Sequence, residues 1–251
     1  MRNEARKPWY EQDRFWDAFG PVIFDAPRRG MALDEVGGLV ALAGLKAGQA
    51  VCDLCCGVGR HSIELARRGF AVTAVDRTRQ YLAEAQKTAR DEGLAIEFVE
   101  EDMRDFCRPE GFDAVVNLFT SFGYFEAQRD DRRAVENMYR SLKAGGALVI
   151  DTMSKEIIAR VFAARDWRRI DGGILLEERK IMDGWSWIEN CWTLIKDGEQ
   201  YECTFSHRLY SAVELRGLLE AAGFTRTAVY GGLDGAAYDE KAERMVVLGW
   251  K

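Results

Sequence analysis

Four side chains with oxygen acceptors fall in order at the ends of apolar runs: Asp53 within Val51 to Leu54, Asp76 after Ala71 to Val75, Asp102 after Ile96 to Val99, and Asn117 within Phe112 to Leu118. Between the first two lies the turn Cys55-Cys56-Gly57-Val58-Gly59, followed by Arg60 and His61. A strand, a turn whose glycines let a ligand approach the backbone, a helix N-terminus and an acid closing the next strand describe a site for a nucleoside. An ionised carboxylate such as Asp76 accepts hydrogen bonds from both hydroxyls of a ribose.

The turn lacks the full G-x-G-x-x-G spacing, because Cys55 stands where a further glycine is expected, so a nicotinamide enzyme is poorly supported. A P-loop is excluded, since no Gly-Lys-Ser/Thr follows. Cys52 and Cys55 have C-x-x-C spacing, but no second cysteine or histidine pair follows at a finger-like interval, so no metal is expected. The six cysteines read as small buried residues rather than disulfides.

The elements that must position these residues are legible from periodicity. Short apolar runs alternate with amphipathic segments between residues 50 and 150, the pattern of parallel βα units. The helices are His61 to Arg68, Arg79 to Glu92 and Arg132 to Leu142, the last stopped by Lys143-Ala144-Gly145-Gly146 ahead of a fifth strand, Ala147 to Asp151. Beyond residue 151, Ile174 to Met182, Trp185 to Lys196 and Glu199 to Tyr210 form an antiparallel insertion of three strands, joined at Asp183-Gly184 and Asp197-Gly198. Its alternation places Tyr201, Cys203, Phe205, His207 and Leu209 on one face and Glu202, Arg208 and Tyr210 on the other. A helix capped by Ser211 with Glu214 follows, and two strands, Thr225 to Tyr230 and Met245 to Trp250, close the chain. The mixed-sign run Arg129 to Arg133 reads as a solvated helix start.

The fold class is therefore α/β: a Rossmann-like, mostly parallel seven-stranded sheet flanked by helices, with an antiparallel β insertion before the last helix. Residues 1–48 read as an aromatic helical cap, 49–151 and 211–251 as the core, and 172–210 as the insertion.

Asp53-x-x-x-Gly57-x-Gly59, Asp76, Asp102-Met103, Asn117 and Lys143-x-Gly145-Gly146, in this order, resemble the class I S-adenosylmethionine-dependent methyltransferases. The resemblance implies that Asp53, Gly57 and Gly59 lie against the methionine and ribose of the cofactor and that Asp76 holds the ribose hydroxyls. It further implies that Asp102 lies beside the adenine amino group, that Met103 packs on the purine, and that Asn117, Leu118 and Phe119 line the methionine end and the transfer position. Tyr10 and Arg77 complete the expected cofactor set. Cys55 departs from the family's usual glycine, a cheap departure if its φ is negative. Arg60 and His61 have equal claims to a capping role and a ligand contact.

The run from Glu101 to Phe106 and then Asn117 to Tyr124 looks like a narrower group of small-molecule enzymes that includes deoxyaminosugar N,N-dimethyltransferases. These share an aromatic N-terminal cap and an antiparallel insertion. On the acceptor side the candidates are Phe119, Tyr124, Arg208, Tyr210 and Tyr238, with Asp234 beside the last. Tyr124 and His207 are the candidate catalytic groups, since a hydroxyl acceptor needs a base and a neutral amine does not. N-methylation is thus favoured over O-methylation. The alternatives are a nucleotide-dependent oxidoreductase and a non-catalytic protein that binds S-adenosylmethionine.

Composition agrees with a small acceptor. The 251 residues carry a net charge of −6, with 47% hydrophobic residues, and show no overall basic footprint for nucleic acid. Nor does Asn117 open an Asn-Pro-Pro-Tyr motif. The charged start, Met1 to Lys7, and the lack of any run near the ~20 apolar residues of a membrane span imply a cytoplasmic protein, monomeric or homodimeric.

Overall fold

In the computed structural model, which describes residues 7–251, helices come first: a 3-10 turn at Trp9–Glu11, then α1 (Asp13–Ile23), α2 (Ala26–Gly30) and α3 (Ala32–Ala43). The first six residues of the expected cap, and most of the charged start, lie outside the described residues. The core then runs β1 (Ala50–Leu54), α4 (Arg60–Arg67), β2 (Ala71–Asp76), α5 (Arg79–Asp91), β3 (Ile96–Glu100), β4 (Phe112–Asn117), α6 (Gln128–Ser141) and β5 (Leu142–Thr152). After α7 (Lys155–Val161) come β6 (Arg165–Ile170), β7 (Gly173–Met182), β8 (Trp187–Lys196) and β9 (Glu199–Arg208). The chain closes with α8 (Ala212–Ala222), β10 (Arg226–Tyr230) and β11 (Met245–Trp250).

Seven strands form one sheet in the order β10-β11-β5-β4-β1-β2-β3, and only β11 runs against the others. The strand order reverses beside β1, so the C-terminal ends of β1 and β4 diverge into a crevice, the place where open α/β sheets bind ligands. Val51, Val72, Ala114, Val116, Val149 and Val246 bury one face of this sheet against α3 and α4, while Cys52, Val75, Val115 and Ile150 bury the other. Strands so fully buried on both faces read as continuous apolar runs.

Two expectations are corrected here. The second sheet has four strands, β6-β7-β8-β9, not three. The extra one, β6, pairs antiparallel with β7 along Arg165 to Ile170 and lies at the sheet edge, where Arg165, Asp166 and Arg169 face water and hide the strand pattern. Lys143 to Gly146 lie inside β5 rather than in a loop before it; the helix ends at Ser141 and the register shifts between Phe112 and Ala114 to absorb the change.

The cap is pinned to both sheets. Phe15, Phe19 and Val22 of α1 form a separate core with Leu175 and Leu194 of the second sheet. The Trp9 indole donates to the Ser206 carbonyl at 2.8 Å, Arg77 and Trp16 both donate to the Tyr10 carbonyl, and the Tyr81 hydroxyl donates to the Trp16 carbonyl at 2.8 Å. Among the described residues no helix is long and apolar enough to cross a membrane.

Candidate active site

The turn after β1 is built on β2. The amides of Cys55 and Cys56 donate to the Val75 carbonyl at 2.8 and 3.0 Å, and the Gly57 amide donates to Asp76 Oδ2 at 2.8 Å. Gly57 has φ 55°, and a Cβ there would lie 2.9 Å from the Phe24 ring, so the turn is clamped under the cap. Cys55 has φ 66°, not the negative value that would make a cysteine cheap at this point. The left-handed backbone costs a non-glycine residue about 1–2 kcal/mol.

Asp76 and Asp102 each close an Asx-type turn on the amide two residues ahead. Asp76 Oδ1 accepts from Thr78 at 2.8 Å, and Asp102 Oδ1 accepts from Arg104 at 2.9 Å. Arg104 also grips Asp102 with its guanidinium, 2.7 Å to Oδ2, and outweighs burial to hold that carboxyl below the usual carboxylate range. Asp76 has no cation partner among the described residues; burial pushes its carboxyl up despite the two backbone donors. Asp53 is likewise raised by burial, with His61 and a 2.5 Å bond from Ser62 Oγ opposing the rise.

These residues face one cleft. It brings together Tyr10, Asp53, Gly57, Asp76, Arg77, Asp102, Met103, Leu118, Phe119 and Tyr124 from the expected set. Gly59 and Asn117 sit behind its wall. A Cβ on Gly59 would lie 2.7 Å from the Ala85 Cβ, and the fully buried Asn117 donates to the Leu54 carbonyl at 3.0 Å. Trp16, Phe24, Cys55, Thr78, Tyr81 and Phe125 complete the lining without having been singled out as ligand contacts. The Asp-x-Thr and Asp-x-Arg spacings at Asp76 and Asp102 are the local signal that could have found Thr78 and Arg104. Arg60 and His61 also face the cleft, yet both bind Glu35 of α3, His61 Nε2 at 2.9 Å from Oε2. Burial alone would raise Glu35, but His61 and Arg60 together hold it below the usual carboxylate range.

On the acceptor side the expected residues separate. Tyr124 lies in the cleft against Trp9 and Tyr10, with ring centroids 4.7 and 6.2 Å away, and its ring is 6.5 Å from that of His207. Burial raises the Tyr124 hydroxyl above its ordinary value, so it stays protonated at any physiological pH. His207, with no place in the cleft wall, is pushed down to about 4 by burial and is neutral. Arg208 and Tyr210 turn away from the cleft and bind Asp131 Oδ2 at 3.3 and 2.7 Å, instead of pairing at the surface with Glu202. Asp131 is therefore buried rather than solvated, and desolvation raises its carboxyl to about 6. Tyr238 shares hydrogen bonds with Ser154 Oγ at 2.6 Å and Glu156 Oε2 at 3.0 Å, away from the cleft. Asp234 accepts from the Ala236 amide within its own loop.

The depressed imidazole has a measurable consequence. The unfolded chain binds a proton at His207 below its ordinary value of 6.5 and the folded one does not, so this residue's contribution is present above pH 6.5 and is lost as pH falls through about 4. Melting temperatures over pH 4–7 are expected to fall less steeply toward acid in His207→Gln than in the parent chain. Asp131 titrates oppositely but is common to both, so the difference isolates His207.

The cleft fits an S-adenosyl nucleoside. A carboxylate without a cation partner among the described residues, with each oxygen using one backbone donor, keeps lone pairs for two hydroxyls, and Met103 and Phe125 supply apolar walls for a base. Residues 51–146 match the family described as Methyltransferase domain. A protein of Bacillus subtilis (strain 168), whose name says only that it is a methyltransferase, is 31% identical over 180 residues, covering 69% of this chain and 72% of its own. A solved S-adenosylmethionine-dependent methyltransferase of Clostridium acetobutylicum ATCC 824 superposes with a TM-score of 0.78 at 18% identity, covering 95% of this chain and 98% of its own. The amino pentose methyltransferase CalS10 of Micromonospora echinaspora, solved with S-adenosylmethionine bound, does so with a TM-score of 0.67 at 20% identity, covering 98% and 99%. With its strand order, its glycine turn on Asp76 and these relatives, the chain belongs to the class I S-adenosylmethionine-dependent methyltransferases.

Proposed function

We propose that this protein methylates a small-molecule acceptor at nitrogen, with Asp76 holding the ribose hydroxyls of the cofactor, Asp53, the Gly57 turn and Leu118 its methionine end, and Asp102 and Met103 its base. The cofactor supplies a methyl group activated on a sulfonium, whose leaving group is a neutral thioether. The protein's task is then to hold the acceptor in line and exclude water. The cap does the second through Tyr10, Trp16 and Phe24, which line the cleft over the ends of the core strands.

The observation that carries the choice of nitrogen is the pair Tyr124 and His207. Tyr124 stays protonated, and a neutral imidazole held near 4 is a feeble base. An amine in its neutral form attacks with its own lone pair. Its N–C bond forms as the C–S bond breaks, and its proton leaves to water. Tyr124 orients that amine through its hydroxyl. The printed name of CalS10, an amino pentose methyltransferase, supports a nitrogen acceptor of small size.

The test is transfer of a labelled methyl group to matched panels of small amines and alcohols. Label on amines, reduced about tenfold or more in Tyr124→Phe with cofactor affinity unchanged, is the expected result. Faster transfer to alcohols would overturn the choice of nitrogen, and cofactor binding without transfer to any acceptor would favour a binding protein.

A further inference from the structure

The floor of the cleft at Phe119 is surrounded by guanidinium groups that the cofactor reading leaves without a task. Arg60, Arg28 and Arg244 place their central carbons 5.0, 5.5 and 5.7 Å from the centroid of the Phe119 ring. Phe119 and Thr120 hold φ of 59° and 63°, a strained turn fastened by Asp151, which accepts from the Phe119 amide at 3.0 Å and pairs with Arg244 at 2.7 Å. The ring is thus held where it meets the three cations.

A fourth guanidinium approaches from the second sheet. Arg168 of β6 lies opposite Leu175 of β7, Leu175 packs with Val22 of α1, and the Val22 carbonyl accepts from Arg28 at 2.6 Å. Arg28 and Arg168 therefore lie along the same seam between the cap and the insertion.

The surrounding charges do not balance these cations. Arg60 is paired by Glu35, Arg244 by Asp151, and Glu177 is occupied by Arg179 at 2.5 Å. Arg28 donates to the Val22 and Ile23 carbonyls and has one carboxylate, Asp25, at 3.7 Å, which also caps α2 by accepting from the Arg28 amide. Arg168 has no ion pair among the described residues, and its Nε is buried without a hydrogen-bond partner. Burial lowers the Arg28 guanidinium, Asp25 opposes the fall, and Arg168 and Arg60 add to it. A buried donor left unpaired costs about 1–3 kcal/mol, which an arriving anion removes.

Resting on the methyltransferase reading of the cleft, we propose that Arg28, beside Phe119, and Arg168 behind it bind an anionic group of the methyl acceptor, a carboxylate or a phosphate. Guanidinium forks match both anions in a bidentate manner. The anion would hold the acceptor at one end while its nucleophilic atom reaches past Phe119 toward Tyr124.

The test is calorimetric titration of the full chain with benzoate, inorganic phosphate and the uncharged control benzamide, each with and without S-adenosylhomocysteine. The expected result is that benzoate or phosphate binds and benzamide does not, with anion affinity at least tenfold weaker in Arg28→Gln and in Arg168→Gln. Whichever anion binds more tightly identifies the acceptor's group. Arg28→Lys, which keeps the charge, is expected to recover part of the loss. Anion affinity unchanged in both glutamine variants, or benzamide binding as well as benzoate, would overturn the proposal. Because the anion is titrated with and without the nucleoside, a failure of S-adenosylhomocysteine to bind counts against the cofactor reading alone.

Discussion

Asp76→Ala is expected to weaken S-adenosylhomocysteine binding by about 100-fold or more, measured by calorimetry. Two hydrogen bonds from hydroxyls to an ionised acceptor are each worth about 1.5–3 kcal/mol, and every 1.4 kcal/mol is tenfold. The same substitution removes the acceptor of the Gly57 and Thr78 amides, so part of the loss would come from the turn itself. Asp76→Asn separates the two contributions in part. Its carbonyl oxygen keeps one of the two amides while its NH2 faces the other, a loss to the turn that removing a charge held at a cost partly offsets; it is expected to melt closer to the parent than Asp76→Ala does while still losing most of its affinity. An Asn variant that binds S-adenosylhomocysteine as tightly as the parent would remove Asp76 from the site.

The second large effect lies outside the cleft. Asp131→Ala is expected to lower unfolding free energy at pH 7.5 by about 3–5 kcal/mol, read from the urea midpoint, because it strands the half-buried Arg208 guanidinium and the Tyr210 hydroxyl. The double variant Asp131→Leu with Arg208→Leu is expected to recover much of the loss, since apolar replacement of both partners removes the unpaired charge. The carboxyl is raised to about 6 from an ordinary 3.8, so the protonated form adds further stability: the loss in Asp131→Ala is expected to be largest below pH 3.8 and to shrink as pH rises through about 6. Above that pH the effect of Asp131→Ala is expected to be constant. A loss below about 1 kcal/mol would show that Arg208 finds other partners.

What was legible in the chain was whatever is local along it. Asp53, Asp76, Asp102 and Asn117 each sit at or near a strand's C-terminal end, and period and spacing locate such ends. The acceptor side was less legible because its partners meet over long stretches of sequence. Nothing near Arg208 announces Asp131, which sits 77 positions earlier in a run of mixed charge that looks solvated. Glu35 is set 26 positions from His61 and within a helix of the cap. β6 escaped for another reason: Arg-Asp-Trp-Arg-Arg-Ile is an edge strand with water on one side, so its composition is that of a loop. Cys55 shows that residue type does not fix φ, since two hydrogen bonds from its turn to Val75 hold it where glycine is easier.

The seam between cap and core has a consequence for how freely this protein can diverge. Toward the core, the cap offers carbonyl oxygens: Tyr10 O receives Arg77, and Trp16 O receives Tyr81. Every residue type carries that oxygen, so these cap positions can change identity without giving up their tethers, provided the helix path survives. Arg77 and Tyr81 have no such freedom. Elsewhere the cap does spend side chains on its anchoring: Trp9 donates to Ser206, Glu11 accepts from Arg104, Arg29 pairs with Glu84, and Glu35 holds Arg60 and His61. At Tyr10 and Trp16 the roof over the cleft can therefore be reshaped for a new acceptor while its fastening to the core stays in place.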